Sequence, residues 1–166
     1  MNETDFAYMQ LEALIDVPPL SALNACRSLF VDHTCEWEEL DLVVPLYALH
    51  VPVAASLHVP VAVHFAQSGA DRFTVRIDAR EQSSLYPRFY GELTVRQERR
   101  SSAAIVLTGS YRVPLWLFGR AVDMVLFRGI ARESMEQLLQ RLAKRIQEAA
   151  HHAESAYARG IARSAS

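Results

Sequence analysis

The sequence has little cysteine and almost no lysine. Cys26 and Cys35 stand nine residues apart, without a Cys-x-x-Cys motif or a nearby His-x-x-x-His pair. This spacing indicates neither a zinc site nor a disulfide scaffold, so we expect reduced thiols. Of the 17 basic side chains all but Lys144 are arginine, and the formal net charge is −2. Such a charge supplies no broad basic field for a phosphate backbone, and we expect no nucleic-acid partner.

Charge is absent between Leu42 and Ala70, where no Asp, Glu, Lys or Arg occurs. The run exceeds the roughly 20 residues that cross a bilayer. The prolines and histidines within it argue against a lipid-facing helix, which must satisfy its own backbone hydrogen bonds, so we expect no transmembrane segment. The chain begins with the acidic stretch Met-Asn-Glu-Thr-Asp instead of the basic start of a signal peptide, which indicates a cytoplasmic protein.

Within this neutral run the hexapeptide Leu-His-Val-Pro-Val-Ala occurs twice. Alternation along a strand places its Leu and Val side chains inward and its histidines outward. On one strand His58 and His64 would lie roughly 20 Å apart, too far to share a metal ion. Only a hairpin at Ala54-Ala55 would bring His50 near His58, and two alanines make a poor turn. We therefore expect no metal site but an early, edge or bulged strand, whose neutral outer face would suit a homodimer.

Three later segments alternate between apolar and polar residues. They begin at Arg72, Arg88 and Ser102, and they predict an antiparallel meander of half-buried strands. If Arg99-Arg100-Ser101 forms the last loop, the apolar positions of the second and third strands agree in register. The predicted pairs are Phe89 with Tyr111, Gly91 with Gly109, Leu93 with Leu107 and Val95 with Ile105. Facing glycines indicate a bend, a bulge or a close approach, and they would leave a hollow beneath whatever covers the sheet.

Helical periodicity is clearest towards the C-terminus. From Ala131 to Ala149 apolar residues recur at spacings of three and four, which predicts a long amphipathic helix that covers the sheet. We predict a single domain over residues 1–151 and a frayed tail over residues 152–166.

The N-terminal segment combines a strand pattern with helix signals. The stretch "FAYMQLEALIDV" predicts a first strand, and Pro18-Pro19 suits the first turn of a helix that continues to about Phe30. Thr34 is expected to cap a second short helix over "CEWEEL". The predicted order is a strand, short helices, several antiparallel strands and one long helix.

This order resembles the helix-grip superfamily, also called SRPBCC or START-like, which includes lipid-transfer domains and polyketide cyclases. The motifs that carry the resemblance are Pro87-x-x-x-Gly91, Gly109-x-Tyr111-x-x-Pro114 and Gly119-x-x-x-Asp123. The resemblance implies an α+β fold in which an antiparallel sheet of about six or seven strands wraps around the C-terminal helix. It also implies an internal cavity that often holds an apolar ligand. The superfamily shares no catalytic signature, so the resemblance implies neither a catalytic residue nor a cofactor.

The expected ligand-binding residues lie on or near the face that meets the helix. They are Phe89, Gly91, Gly109, Tyr111, Trp116 and Phe118. Aromatic side chains line most apolar ligand sites, but they also fill ordinary cores, so core packing remains an alternative. Trp116 departs from the family pattern, in which small residues often follow the proline. Its indole would cap or fill the mouth of the cavity.

The expected function is binding of an apolar or amphipathic small molecule, as a carrier or sensor. One alternative is a cyclase-like or aromatase-like enzyme that uses the same cavity, and another is a protein-partner module with a vestigial cavity. An enzyme would need a titratable group inside the cavity, and Tyr111 is the main polar exception among the inward positions.

No catalytic motif supports the enzymatic alternative. The chain has no Gly-x-Ser-x-Gly nucleophile elbow. Asp78, Glu92, Tyr90 and Arg76 alternate onto the face opposite the core, where cross-strand ion pairs are expected instead of an acid–base pair.

Overall fold

The computed structural model describes residues 6–30, 38–45, 56–79, 88–112 and 124–164. Their elements are β1 (Phe6–Ile15), α1 (Pro19–Phe30), β2 (Glu38–Pro45), β3 (Ser56–Gln67), β4 (Arg72–Ala79), β5 (Arg88–Gln97), β6 (Ala103–Arg112) and α2 (Met124–Ser164). The strands form one antiparallel sheet in the order β1-β6-β5-β4-β3-β2. The predicted α+β helix-grip fold is confirmed, with six strands in the described part of the chain.

The register between β5 and β6 agrees with the prediction. Phe89 pairs with Tyr111, and Gly91 pairs with Gly109. In the connecting turn the N–H groups of Glu98 and Arg99 lie 3.3 and 3.1 Å from the carbonyl oxygen of Ser102. The apolar sets of both strands therefore face the same side of the sheet, as the alternation requires.

The second copy of the hexapeptide lies in β3, while the first copy, with His50, lies outside the described residues. His58 and His64 belong to this one strand, as expected. The last pair between β3 and β4 joins Val61 to Ala79, whereas Pro60 pairs only with Asp41 of β2 within the described residues. The predicted edge position is therefore wrong for β3, which lies between β2 and β4, although Pro60 itself precedes the last described pair with β4.

The prediction of a second short helix over "CEWEEL" is wrong for Glu38, Glu39 and Leu40. These residues form the start of β2, where Leu40 pairs with Val61, and residues 31–37 lie outside the described part. Glutamate and leucine favour helices, but the preference is weak and pairing with a neighbouring strand outweighs it.

Helix α2 is longer than the predicted helix at both ends. Residues 152–164, which we expected to fray, are helical, and residues 151–157 are exposed. At about 1.5 Å per residue, α2 is about 60 Å long, whereas a ten-residue strand spans about 33 Å. The helix therefore extends beyond the sheet. Among the described helices none is long and apolar enough to cross a membrane.

The core lies between one face of the sheet and one side of α2. Helix α2 contacts both edge strands, β1 and β2, and the sheet curves around it. Its buried side chains follow the predicted apolar stripe: Ala131, Met135, Leu138, Leu139, Leu142 and Ile146. A helix with one apolar side can bury that side only against another element, and here the concave sheet provides it.

Candidate ligand-binding site

The apolar space between the sheet and α2 has two ends, and α1 closes one of them. Helix α1 contacts α2, β3, β5 and β6, and it buries Ala22, Ala25 and Cys26. We call this the α1 end. Burial raises the pKa of the Cys26 thiol to about 12, because a thiolate would lose its hydration there. Cys26 is therefore a neutral core residue.

Aromatic packing and polar contacts hold α1 in place. The Phe30 ring stacks on Phe65 with the ring centroids 3.9 Å apart, and it meets Phe73 edge-on at 6.4 Å. The Arg27 guanidinium donates to the Ala70 carbonyl oxygen at 2.9 Å, in the turn between β3 and β4. These contacts combine buried aromatic area with an anchored helix end, so the α1 end is filled.

Polar contacts also join α2 to the chain at this end. The Ser21 hydroxyl donates to the Glu154 carboxylate at 2.8 Å. The Asp16 N–H donates to Gln147 Oε1 at 3.2 Å. Gln147 therefore marks the height on α2 at which β1 ends and the α1 end begins.

The opposite end of the space, which we call the Tyr111 end, contains one row of inward positions. Tyr111, Phe89, Ile77 and Val63 are neighbours across β6, β5, β4 and β3, and all four are buried. Residues 46–55, 80–87 and 113–123 lie outside the described part of the chain. The row is apolar apart from one phenol.

The facing glycines allow Phe89 to fold over both of them. A Cβ atom on Gly109 would lie 2.5 Å from Phe89 Cζ, and one on Gly91 would lie 2.7 Å from the same atom. A Cβ on Gly91 would also collide with the Thr108 carbonyl oxygen and lie 2.8 Å from the Gly109 Cα. Of the bend, the bulge and the close approach that the glycine pair indicated, the close approach is confirmed. The hollow that we expected at the glycines is filled by the Phe89 ring.

Tyr111 is the polar group of this row. It is 6% exposed, and burial raises the pKa of its phenol because the phenolate would be desolvated. The hydroxyl is therefore neutral near pH 7 and can donate one hydrogen bond. Of the six predicted site residues, Phe89, Gly91, Gly109 and Tyr111 lie together, and Trp116 and Phe118 lie outside the described residues.

Sequence reasoning missed Ser134 of α2. Its side chain is 1% exposed, and its Oγ has no hydrogen-bond partner among the described residues. The signal was present, since Ser134 follows Ala131 by three positions and precedes Leu138 by four. A serine at this spacing belongs to the apolar stripe and must bury its hydroxyl.

The polar cluster considered for acid–base chemistry lies on the outer face of the sheet. Asp78 Oδ2 is 2.6 Å from Arg76 Nε, and Asp78 Oδ1 is 3.6 Å from Arg88 Nε. Tyr90 is 65% exposed. The predicted cross-strand pairing is confirmed for Asp78 of β4 with Arg88 of β5, whereas Arg76 and Asp78 pair within β4. In the described part of the chain, no three His, Cys, Asp or Glu side chains form a metal-binding group.

A groove of about 870 Å³ runs between β1 and α2, outside the core. Its walls are mostly charged or amide side chains: Gln10, Glu12, Arg132, Glu133, Glu136, Gln137, Gln140 and Arg141. None of the four described site residues lines it. Polar walls suit water better than an apolar ligand, so this groove is not the predicted binding site.

No protein-family model and no curated protein matches the sequence. Among solved structures, the protein TTHA0849 from Thermus thermophilus is similar with a TM-score of 0.50 at 16% identity, over 89% of this chain and 99% of that protein. The di-domain ARO/CYC protein BexL is similar with a TM-score of 0.51 at 10% identity, over 90% of this chain and 51% of that protein. A major latex protein family member from Arabidopsis thaliana has a TM-score of 0.50 at 8% identity, over 90% of this chain and 97% of that protein. The chain therefore has the helix-grip fold of the SRPBCC, or START-like, superfamily.

Proposed function

We propose that the protein binds an apolar or amphipathic small molecule at the Tyr111 end, between the sheet and α2, as a carrier or sensor. Phe89 and Tyr111 would form part of the site, and Trp116 and Phe118 stay predicted members of it. The fold supports this proposal, because a curved sheet around a helix can enclose a ligand without unfolding either element.

The observation that carries the proposal is that the two ends differ in what packs against the sheet. Helix α1 lies under the middle strands at the α1 end, where Phe30 packs on Phe65 and Phe73. The Tyr111 end presents the same kind of apolar sheet surface, and the Phe30 and Arg27 contacts of α1 do not reach its row. A ligand at this end would contact Val63, Ile77 and Phe89, which are already shielded from water and offer an apolar partner a non-polar surface.

The character of the polar groups favours binding over catalysis. The Tyr111 phenol is held neutral by burial, so at neutral pH it can donate a hydrogen bond but cannot accept a proton as a base. An enzyme of the cyclase kind would need a second titratable group inside the same space. The carboxylates of Asp78 and Glu92 belong to the outer face.

Native mass spectrometry of the purified protein tests the proposal directly. A copurified or added fatty acid, sterol-like compound or aromatic polyketide should appear as a bound species of one-to-one stoichiometry. Ala131→Phe provides a blocking variant, since Ala131 is buried on α2 more than four helical turns before Gln147, which marks the α1 end. We expect it to weaken binding at least tenfold, because the ring would take the place of the ligand.

Ala153→Phe is the matched control, because Ala153 is an exposed alanine of the same helix. It should leave binding unchanged. The absence of any bound species across the panel would refute the proposal. Equal binding by the wild-type protein and Ala131→Phe would place the ligand elsewhere.

A further inference from the structure

The hydroxyl of Ser134 is unusual because it is fully buried and unpartnered. A serine inside a helix commonly donates to the carbonyl oxygen four residues earlier, here that of Ile130. Ser134 makes no such bond, and its Oγ meets no other partner among the described residues. Native proteins leave few buried polar atoms unsatisfied, so an exception requires an explanation.

We expect alanine at position 134 to make the folded protein more stable than serine does. Ala131, Ala143 and Ala150 occupy the same buried side of α2 without a polar atom. Alanine has the higher helix propensity, and it leaves no hydroxyl to desolvate. The serine therefore destabilises the ligand-free protein relative to alanine, and folding alone does not account for it.

The position of Ser134 along α2 places it level with the glycine pair, beside the Tyr111 row. Gln10 and Glu12 of β1 line one groove with α2 residues 132–141, so Ser134 is level with the middle of β1. In that part of the sheet Met9 pairs with Gly109, where Phe89 Cζ meets the glycines. Gln147, which marks the α1 end, lies more than three helical turns further along α2.

We propose that the Ser134 hydroxyl is a ligand contact that hydrogen-bonds the polar group of an amphipathic ligand. The inference rests on the proposed function and narrows its ligand class to apolar molecules that carry a hydroxyl or carbonyl group. A buried hydroxyl gains most from a partner in an apolar surrounding, where water does not compete. A site built to make such a bond discriminates against the analogue that lacks the polar group.

Ser134→Ala, with two matched probe pairs, tests the proposal. The pairs are 1-dodecanol with dodecane and 2-naphthol with naphthalene, which differ within each pair by one hydroxyl. The wild-type protein should bind the hydroxylated member more tightly. Ser134→Ala should weaken the binding of that member about three- to tenfold, the range for one neutral hydrogen bond, and leave the binding of the hydrocarbon unchanged. The same variant should raise the Tm of the ligand-free protein by about 2 to 4 °C, because it removes an unsatisfied hydroxyl.

Two further variants test whether the effect is specific to the Ser134 hydroxyl. Ser110→Ala removes a hydroxyl from the outer face of the sheet, between Tyr8 and Tyr90, and should leave the binding of every probe unchanged. Ser134→Cys keeps a weak donor of similar size and should recover part of the preference. A raised Tm with unchanged preference would overturn this proposal and leave the binding function standing. If no probe of either pair binds the wild-type protein, the binding function fails and the role of Ser134 fails with it.

Discussion

The two ends of the space between the sheet and α2 use the same sheet but differ in what lies against it. At the α1 end the middle strands contact a helix of the same chain, with Phe30 stacked on Phe65. The Phe30 and Arg27 contacts that hold α1 in place do not extend to the row of Phe89 and Tyr111 at the Tyr111 end. Both ends are apolar, and each has one buried weak acid, Cys26 at the α1 end and Tyr111 at the other.

Under the proposed function, this difference separates a stabilising role from a binding role on one sheet. A ligand at the α1 end would have to displace α1, along with its aromatic packing and its contact from Arg27 to Ala70. A ligand at the Tyr111 end competes with none of these contacts. Closing one end with a helix therefore secures the fold, and the chemistry of the other end can change without unfolding the domain.

The largest expected effect compares two phenylalanines, one at each end. Phe73 and Phe89 are both almost completely buried. Phe73→Ala should destabilise the protein by about 3 to 5 kcal/mol, because it leaves a cavity beneath α1. Phe89→Ala should cost about 2 to 3 kcal/mol, because small apolar molecules or the ligand can refill the space. Urea unfolding with and without saturating benzene measures both effects.

Benzene should restore part of the stability of Phe89→Ala and little of that of Phe73→Ala. Equal losses and equal recovery in the two variants would show that the ends are packed alike, contrary to the comparison.

The next effect concerns the close approach of the strands at the glycine pair. Gly91→Ala should cost about 3 kcal/mol, because the new Cβ meets backbone atoms of Thr108 and Gly109 that cannot move independently of the sheet. Gly69→Ala is the control, since its Cβ would meet only the Arg72 side chain at 3.5 Å or more. That change should stay within about 0.5 kcal/mol. Denaturant titration of both variants would contradict the expectation if their midpoints agreed.

Sequence alternation predicted the register of β5 and β6, because one face of each strand must be buried and a shift of one residue would expose it. It also placed the two glycines opposite each other. It did not reveal that Phe89 folds over them, because alternation specifies a face but no rotamer. The start of β2 was missed, since Glu38–Leu40 lack a strand pattern and depend on pairing with β3. Ser134 was missed because the apolar stripe was traced through apolar residues alone, although a serine at its spacing lies on the same side of the helix.

The smallest effect is a loss of stability at alkaline pH, to which each end contributes one group. The pKa of Cys26 rises from 9.0 to about 12 on folding, so the unfolded chain ionises first. The contribution of Cys26 to the free energy of unfolding is fully present below pH 9. It is lost between about pH 9 and 12, at up to about 1.4 kcal/mol per pH unit. Tyr111 acts in the same direction from about pH 10, the usual value for a phenol.

Urea unfolding between pH 8 and 11 should therefore show a shallower decline for Cys26→Ala and for Tyr111→Phe than for the wild-type protein. Comparing each variant with the wild-type protein isolates the two contributions, because the other five tyrosines, Cys35 and Lys144 are common to all three proteins. A ligand at the Tyr111 end that hydrogen-bonds the neutral phenol should raise the stability of the wild-type protein by the same amount at every pH in this range, because the buried phenol of the folded protein keeps its proton throughout. The gain should be smaller in Tyr111→Phe, which lacks the hydroxyl, and it should be the same in Cys26→Ala as in the wild-type protein, because Cys26 is buried in α1. A ligand effect that depended on Cys26 and not on Tyr111 would reverse the roles assigned to the two ends.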